Sequence, residues 1–562
     1  MRANFFAALP PAATEPHLLS TSRRKFLQQA SALGLLYSSS RAIPQMNMAH
    51  MQMGQPNASQ PNAPGSHAPM LHTFQLPPFV DPLPIPQVLR PTVANGRRKL
   101  TIPMQETHFK VHRDVPPTRM WTYGSGPVGP VIEARSGEPL DMEWVNRLPA
   151  KHFLPIDHSM HGCGKDIPDV RAVVHLHGAK ARSQDDGYPE DWYVPGQTRT
   201  CHYPMDQEAT ALWYHDHAMG INRLNSYAGL FGMLLIRDKV EDSLHLPTGP
   251  YEIPLIFFDR DFTADGQLYY ATSGDPERPW IPEFSADGLL INGKIRPYLE
   301  VEPRLYRFRA LNVANSRFYR IGLTDNSPMT QIGSDQGFLA APVQVQNVVL
   351  SPGERADLLI DFSHSAGKTL HLSNGGLDLM EFRVAGRATT PVSYSVPKTI
   401  RPIPRTPESS AIVTRTITLH DYQDQYEHSM MMLLNRKRWH DPTTEKPRLD
   451  TTEIWEFVNL TEDTHPMHLH LVRFQILDRR NFDTTDYFLN HNKIRYTGDP
   501  VPPDPNEMGW KDVVQCPPGA ITRIIVNFSG YPGKYLYHCH ILEHEANDMM
   551  RPFEVIADIR HR

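Results

Sequence analysis

Histidines gather in four short stretches of this chain. His175-Leu176-His177 and His215-Asp216-His217 come first; His465-Pro466-Met467-His468-Leu469-His470 and His538-Cys539-His540 follow near the C-terminal end, the last trailed by His544 and Met549. Neutral imidazole is a metal ligand of wide range, and pairs spaced two apart can grip one ion or several. The last stretch adds a thiol. With only four cysteines in 562 residues, one set between two histidines points to a soft, redox-active ion.

The elements that would position these groups are strands. Residues two apart on a strand point to the same face, so each His-x-His presents two imidazoles side by side. In His538-Cys539-His540 the two rings face one way and the thiol the other, so that the segment can connect two metal centres through a few covalent bonds. A thiolate, two imidazoles and a weak axial thioether form the blue-copper arrangement, and Cys539, His465, His544 and Met549 supply that set. The other eight histidines (His175, His177, His215, His217, His468, His470, His538 and His540) are enough for three further coppers. Zinc also accepts such pairs but gains nothing from a redox path. A single His-x-His more often lies on a solvated strand or in a satisfied core; four clusters, one holding the cysteine, outweigh that reading.

In the scaffold, 40% hydrophobic residues suffice for real cores, and 53 prolines favour short strands and turns over helices. The length suits several domains. Runs such as "RAVVHLHG", "ALWYHDHAMG" and "ITRIIVNF" are short, apolar and bounded by turn residues, the pattern of all-β sandwiches or barrels. Polar, Pro-containing stretches near residues 238–251 and 385–412 divide the chain. The expected organisation is 1–42 signal, 43–97 flexible Met- and Pro-rich segment, and β domains over 98–245, 246–395 and 396–562. "RLYRFRALNV" alternates, with Tyr306 and Phe308 on one face and Arg307 and Arg309 on the other.

The formal net charge of −5 includes no Lys/Arg block in the mature region, so nucleic acid is not an expected partner. No run of apolar residues is long enough to span a membrane. At the N-terminus, Arg23-Arg24 before Phe26-Leu27 and a mildly apolar stretch resemble a twin-arginine export signal, with Ser40-Arg41-Ala42 as a cleavage site. That predicts use of the twin-arginine machinery and a periplasmic or secreted protein. Met46, Met48, Met51 and Met53 with His50 could collect copper(I), or form a plain linker.

From residue 98 onward the chain resembles the multicopper oxidases, and within them the bacterial spore-coat laccase and bilirubin oxidase branch. "HLHGAKARSQDDGYPEDW", "LNRKRWHDP", "HPMHLHLVRFQILDRR" and "HCHILEHEANDMMRPF" carry the likeness, with "INGKIRPYLEVEPRLYRFRALNVANSRFYRIGL" matching a copper-free middle domain. The resemblance implies three cupredoxin-like Greek-key barrels. It implies type 1 copper on His465, Cys539, His544 and Met549, type 2 on His175 and His468, and type 3 on His177, His215, His217, His470, His538 and His540. The implied cofactor is copper, four ions per chain, and the implied reaction couples one-electron oxidation of a small reducing substrate to four-electron reduction of O₂ to water. Phenolic and aromatic substrates fit, bilirubin-like ones among them; a ligand histidine exposed at the surface would take their electrons. The family places acids where Glu545 and Asp186 stand, as proton donors. Glu545 equally fits a hydrogen-bond partner of a ligand, and Asp186 a turn residue before Gly187.

The rival activity is a cuprous oxidase for copper tolerance. Such relatives carry a Met-rich insertion before the third-domain histidines; here residues 385–429 hold no methionine and only Met430, Met431 and Met432 hint at one. A copper-storage or electron-transfer role conflicts with a full ligand set. Cys163 and Cys201 fall in one expected domain and could pair, leaving Cys516 unmatched, although spacing does not decide pairing. Nothing demands more than a monomer.

Overall fold

The computed structural model describes residues 69–276, 278–389, 396–425 and 428–557. The twin-arginine stretch and the methionine tract with His50 lie outside them.

Among the described residues, six sheets pair into three β regions. In the first, one sheet runs Val88–Leu89, Val131–Arg135, Phe231–Arg237, Thr210–Asp216, Val174–His177 in neighbour order; the other holds Thr92–Ala94, Arg97–Phe109, Leu140–Arg147 and Thr198–Tyr203. Ile102 and Trp144 from one sheet meet Ile132 and Leu234 from the other in a common buried core. The middle region centres on Phe308, Ile321 and Phe382, and the third on Trp455, Met467, Ile524 and Tyr537. Such cores are what alternating strands of β-branched and aromatic residues build. Among the described residues helices are few and short, and none is long and apolar enough to cross a membrane.

Some strands are buried on both faces. All seven residues of Thr210–Asp216 are buried, because one face meets the core and the other meets the third region at the histidine clusters. A strand covered twice loses the polar-out alternation. Leu305–Asn312 is the instructive exception: Tyr306 and Phe308 enter the apolar core, as the alternation predicts. Its arginine face is also buried, because Arg307 and Arg309 are both paired with Glu241 and Asp357 at 2.6–2.8 Å. A buried guanidinium is tolerable only with such partners.

The expectation of flexibility through residue 97 does not hold from residue 69 onward. Leu83 lies in the middle core, Val88–Leu89 pairs in parallel with Val131 and Ile132, and Asp81 accepts from the Arg113 backbone N–H at 2.7 Å. Prolines bar this stretch from a sheet interior but not from an edge, and the residues between them still pair. The possible Cys163–Cys201 bridge is likewise not formed: all four cysteines are free and buried. Burial pushes the Cys201 thiol up to about 11 and that of Cys516 to about 12, so both behave as inert core groups.

Candidate metal centres

Antiparallel register brings the clusters together. His175 on Val174–His177 lies opposite His215 on Thr210–Asp216, and His468 on His465–Leu469 lies opposite His538 on Gly533–Cys539. Each region thus contributes four rings from two strands and the residues directly after them, and the two sets interlock. His175 stacks on His470 with centroids 3.8 Å apart, and His177 on His468 at 3.7 Å. The Nε2 atom of His538 lies 3.2 Å from that of His470 and 3.4 Å from that of His217. His540 closes on His177 and His215 at 5.1 and 5.4 Å between centroids. All eight are buried.

On His175, His177, His215 and His468 the outer nitrogen is tied down and the inner one is left free. His175 Nδ1 donates to the Asp186 carbonyl (2.5 Å), His468 Nδ1 to the Asp512 carbonyl (2.7 Å) and His215 Nδ1 to the Asp216 carbonyl (2.9 Å). His470 Nδ1 donates to Asp186 Oδ2 at 2.7 Å and His177 Nε2 to Asp512 Oδ1 at 3.1 Å. In consequence His175 Nε2, His215 Nε2, His468 Nε2 and His177 Nδ1 are buried without a partner, as are both nitrogens of His540. A protein does not leave that many buried polar atoms orphaned unless something else satisfies them. Burial and mutual repulsion hold His175, His177, His468 and His470 far below the usual imidazole range, and burial takes His215 and His217 to about 3. Neutral imidazoles with free inner lone pairs are the form that binds metal.

Cys539 lies on the opposite face of its strand, as alternation requires. Its Sγ is 3.5 Å from His465 Nδ1 and 3.7 Å from His544 Nδ1. Thr461 Oγ1 sits 2.7 Å from His465 Nε2 and fixes that ring. Met549 shares the core cluster of Cys539, while Met550 belongs to a separate one with Met219, Trp439 and Leu536. Burial pushes the Cys539 thiol well up, so a thiolate there needs a cation beside it. Both His465 and His544 are buried, contrary to the expected exposed ligand. At the helix Leu542–Ala546, which carries His544, Trp280 donates to the Glu543 carbonyl at 3.1 Å and Tyr270 to its carboxylate at 2.5 Å.

These observations decide the kinship. Residues 167–241 and 411–558 both match multicopper oxidase family models. A laccase of Bacillus stratosphericus is 45% identical over 510 residues, covering 85% of this chain and 99% of that one. The laccase of Bacillus subtilis (strain 168) is 42% identical, with 85% and 98% covered. A multi-copper oxidase crystal structure from Pediococcus acidilactici superposes with a TM-score of 0.72 at 28% identity, covering 88% and 95%. The chain belongs to the multicopper oxidase family. It is a laccase-like, copper-dependent oxidoreductase, and its β regions are cupredoxin-like.

This multicopper oxidase also relies on residues that sequence reasoning missed. Asp512 accepts from Arg355 Nη1 and Nη2, both at 2.6 Å, and from Gln336 Nε2 at 2.6 Å, which ties the middle region to the histidines. No spacing in "GWKDVVQC" signals this; only the fold brings Asp512 to His177. Gly353 (φ +86) of the middle region abuts the His540 ring, where a Cβ would come within 2.9 Å. Asn222 donates to Glu545 Oε1 at 2.5 Å. Of the two acids singled out, Glu545 lies 3.1 Å from His538 Nδ1 and 3.4 Å from His217 Nδ1. Burial pushes its carboxyl up, but these two imidazoles outweigh that and leave it below the usual range. Asp186 is buried with no Lys or Arg paired to it among the described residues, and burial raises it well above that range.

Proposed function

We propose that His465, Cys539, His544 and Met549 hold a type 1 copper, that His175 and His468 hold the type 2 copper, and that the type 3 pair divides between His177, His215, His540 and His217, His470, His538. The convergence of the last three Nε2 atoms within 3.4 Å supports this most directly. When bound, the coppers supply one-electron oxidation of the substrate and four-electron reduction of O₂ to water. The chain's own contribution is to hold neutral ligands rigidly, exclude water, and move protons. Glu545, fixed by Asn222 between His217 and His538, and Asp186, buried and unpaired by any cation, are the groups suited to proton delivery.

The substrates we infer are phenols and related aromatics, because the similar Bacillus proteins are laccases. Oxygen uptake by the copper-loaded protein with a simple phenol, with and without excess copper(II), tests this. Rapid uptake without added copper is expected; uptake only with cuprous ion as donor would point instead to copper detoxification. Replacing Met549 by Leu should raise the type 1 potential in a redox titration, whereas Met550→Leu should not.

We further read residues 1–42 as a twin-arginine signal, 98–245, 246–395 and 396–562 as the three domains, and the mature protein as a periplasmic or secreted monomer. The paired Arg23 and Arg24 support export by that route.

A further inference from the structure

Away from the histidine clusters, three side chains converge at the surface where the first and third regions meet. His161 Nε2 and His440 Nε2 are 2.9 Å apart. A Glu190 carboxylate oxygen completes a set of three ligand atoms lying within 4.8 Å of one another. His161 and Glu190 come from loops of the first region; His440 comes from "RKRWHDP" in the third.

Two of the three groups, His161 and Glu190, are held from behind. The outer nitrogen of His161, Nδ1, faces Asp548 Oδ1 at 3.3 Å. A carboxylate there requires the proton on Nδ1, which leaves the lone pair on Nε2, the atom that faces His440. This carboxylate–histidine backing is the usual support of a metal-ligating imidazole. Glu190 Oε1 accepts from Trp439 Nε1 at 3.0 Å, which leaves its second oxygen free of that bond. The Trp439 backbone N–H is itself directed at Asp548 Oδ1 at 3.3 Å. Without a cation the two rings share a single hydrogen bond beside a carboxylate. With one, two imidazoles and a carboxylate offer a half-open site of borderline softness.

We propose that His161, His440 and Glu190 form a further metal site, for a divalent transition cation such as Zn²⁺, that pins the first region to the type 1 loop of the third. Asp548 backs the site and directly precedes Met549. Occupancy therefore fixes the loop carrying Met549 without touching a type 1 ligand.

The test uses the copper-loaded full chain with zinc sulfate as the probe, read by calorimetric titration and by thermal unfolding. Wild type should bind one Zn²⁺ that the His161→Ala/His440→Ala double variant does not. Glu190→Gln should weaken binding by about tenfold or more, since loss of one directly bonded ligand costs at least about 1.4 kcal/mol. Zinc should raise the unfolding temperature of wild type and not of the double variant, as a ligand specific to the folded state must. The blue absorbance of the double variant should match wild type, which separates failure at this site from failure of the copper assignments. Equal zinc stoichiometry and affinity in wild type and double variant would overturn the proposal, as would binding without any effect on unfolding.

Discussion

Asp186 and Asp512 occupy matching positions in the two halves of the histidine cluster, and they are built differently. Each accepts from one histidine of its own half through its backbone carbonyl, His175 for Asp186 and His468 for Asp512. Each reaches across with its carboxylate to a histidine of the other half, His470 or His177. There the likeness ends. The Asp512 carboxylate is clamped at both oxygens by Arg355 and again by Gln336. Among the described residues no Lys or Arg reaches Asp186, and its Oδ1 has no partner. A compensated carboxylate is a fixed anchor. An uncompensated buried one favours its protonated form and can give up a proton. The same hydrogen-bonding task is thus combined with two electrostatic states, and of these two aspartates only Asp186 is in a state that favours holding a proton.

The contrast can be broken most severely at Asp512. Asp512→Ala strands the buried Arg355 guanidinium, and loss of one partner of a buried pair costs about 3–5 kcal/mol. Thermal unfolding should show a clearly lowered midpoint, with copper content falling as His177 loses its anchor; an unchanged midpoint would mean that Arg355 finds other compensation. Next comes Asp186→Asn, which keeps an acceptor for His470 but carries no transferable proton. Turnover should fall by about 10²-fold or more with the blue band intact, and full turnover would reduce Asp186 to a ligand-orienting group.

The pH profile sharpens the same point. Burial holds Asp186 above the usual carboxyl range, so the donor form persists to pH values above that range and turnover falls as pH rises through its ionisation. The residual turnover of Asp186→Asn should lack that fall. Stability runs in the same direction: the folded chain binds this proton more tightly than the unfolded chain, so the contribution is lost as pH rises above the unfolded value. The smallest effect is expected of Gln336→Ala. Arg355 still holds both oxygens of Asp512, so the loss should be about 1 kcal/mol in unfolding experiments, with copper content kept.

The histidine and cysteine clusters were legible in the sequence because their chemistry is local. His-x-His on a strand places two rings on one face wherever the strand goes, and the placement of Cys539 on the other face follows from the same two-residue period. The choice between Met549 and Met550 rested on family spacing alone; in the fold only Met549 shares the core cluster of Cys539. Proline and turn spacing conveyed the all-β class. The same composition misled over residues 69–97, where edge pairing with distant strands supplies the order that local residues lack.

What the chain alone determined, then, is the inventory: which groups can bind copper, which way each points from its strand, and that strands must carry them. What tertiary structure decided is their company. Arg355 meets Asp512 across 157 residues and Asn222 meets Glu545 across 323, and His161 meets His440 across 279. Trp280 bonds to the helix carrying His544, which is buried although the family likeness would have left a ligand histidine exposed. Charge compensation and burial depend on distance in space, and a carboxylate becomes an anchor or a proton donor according to whether a guanidinium happens to fold beside it.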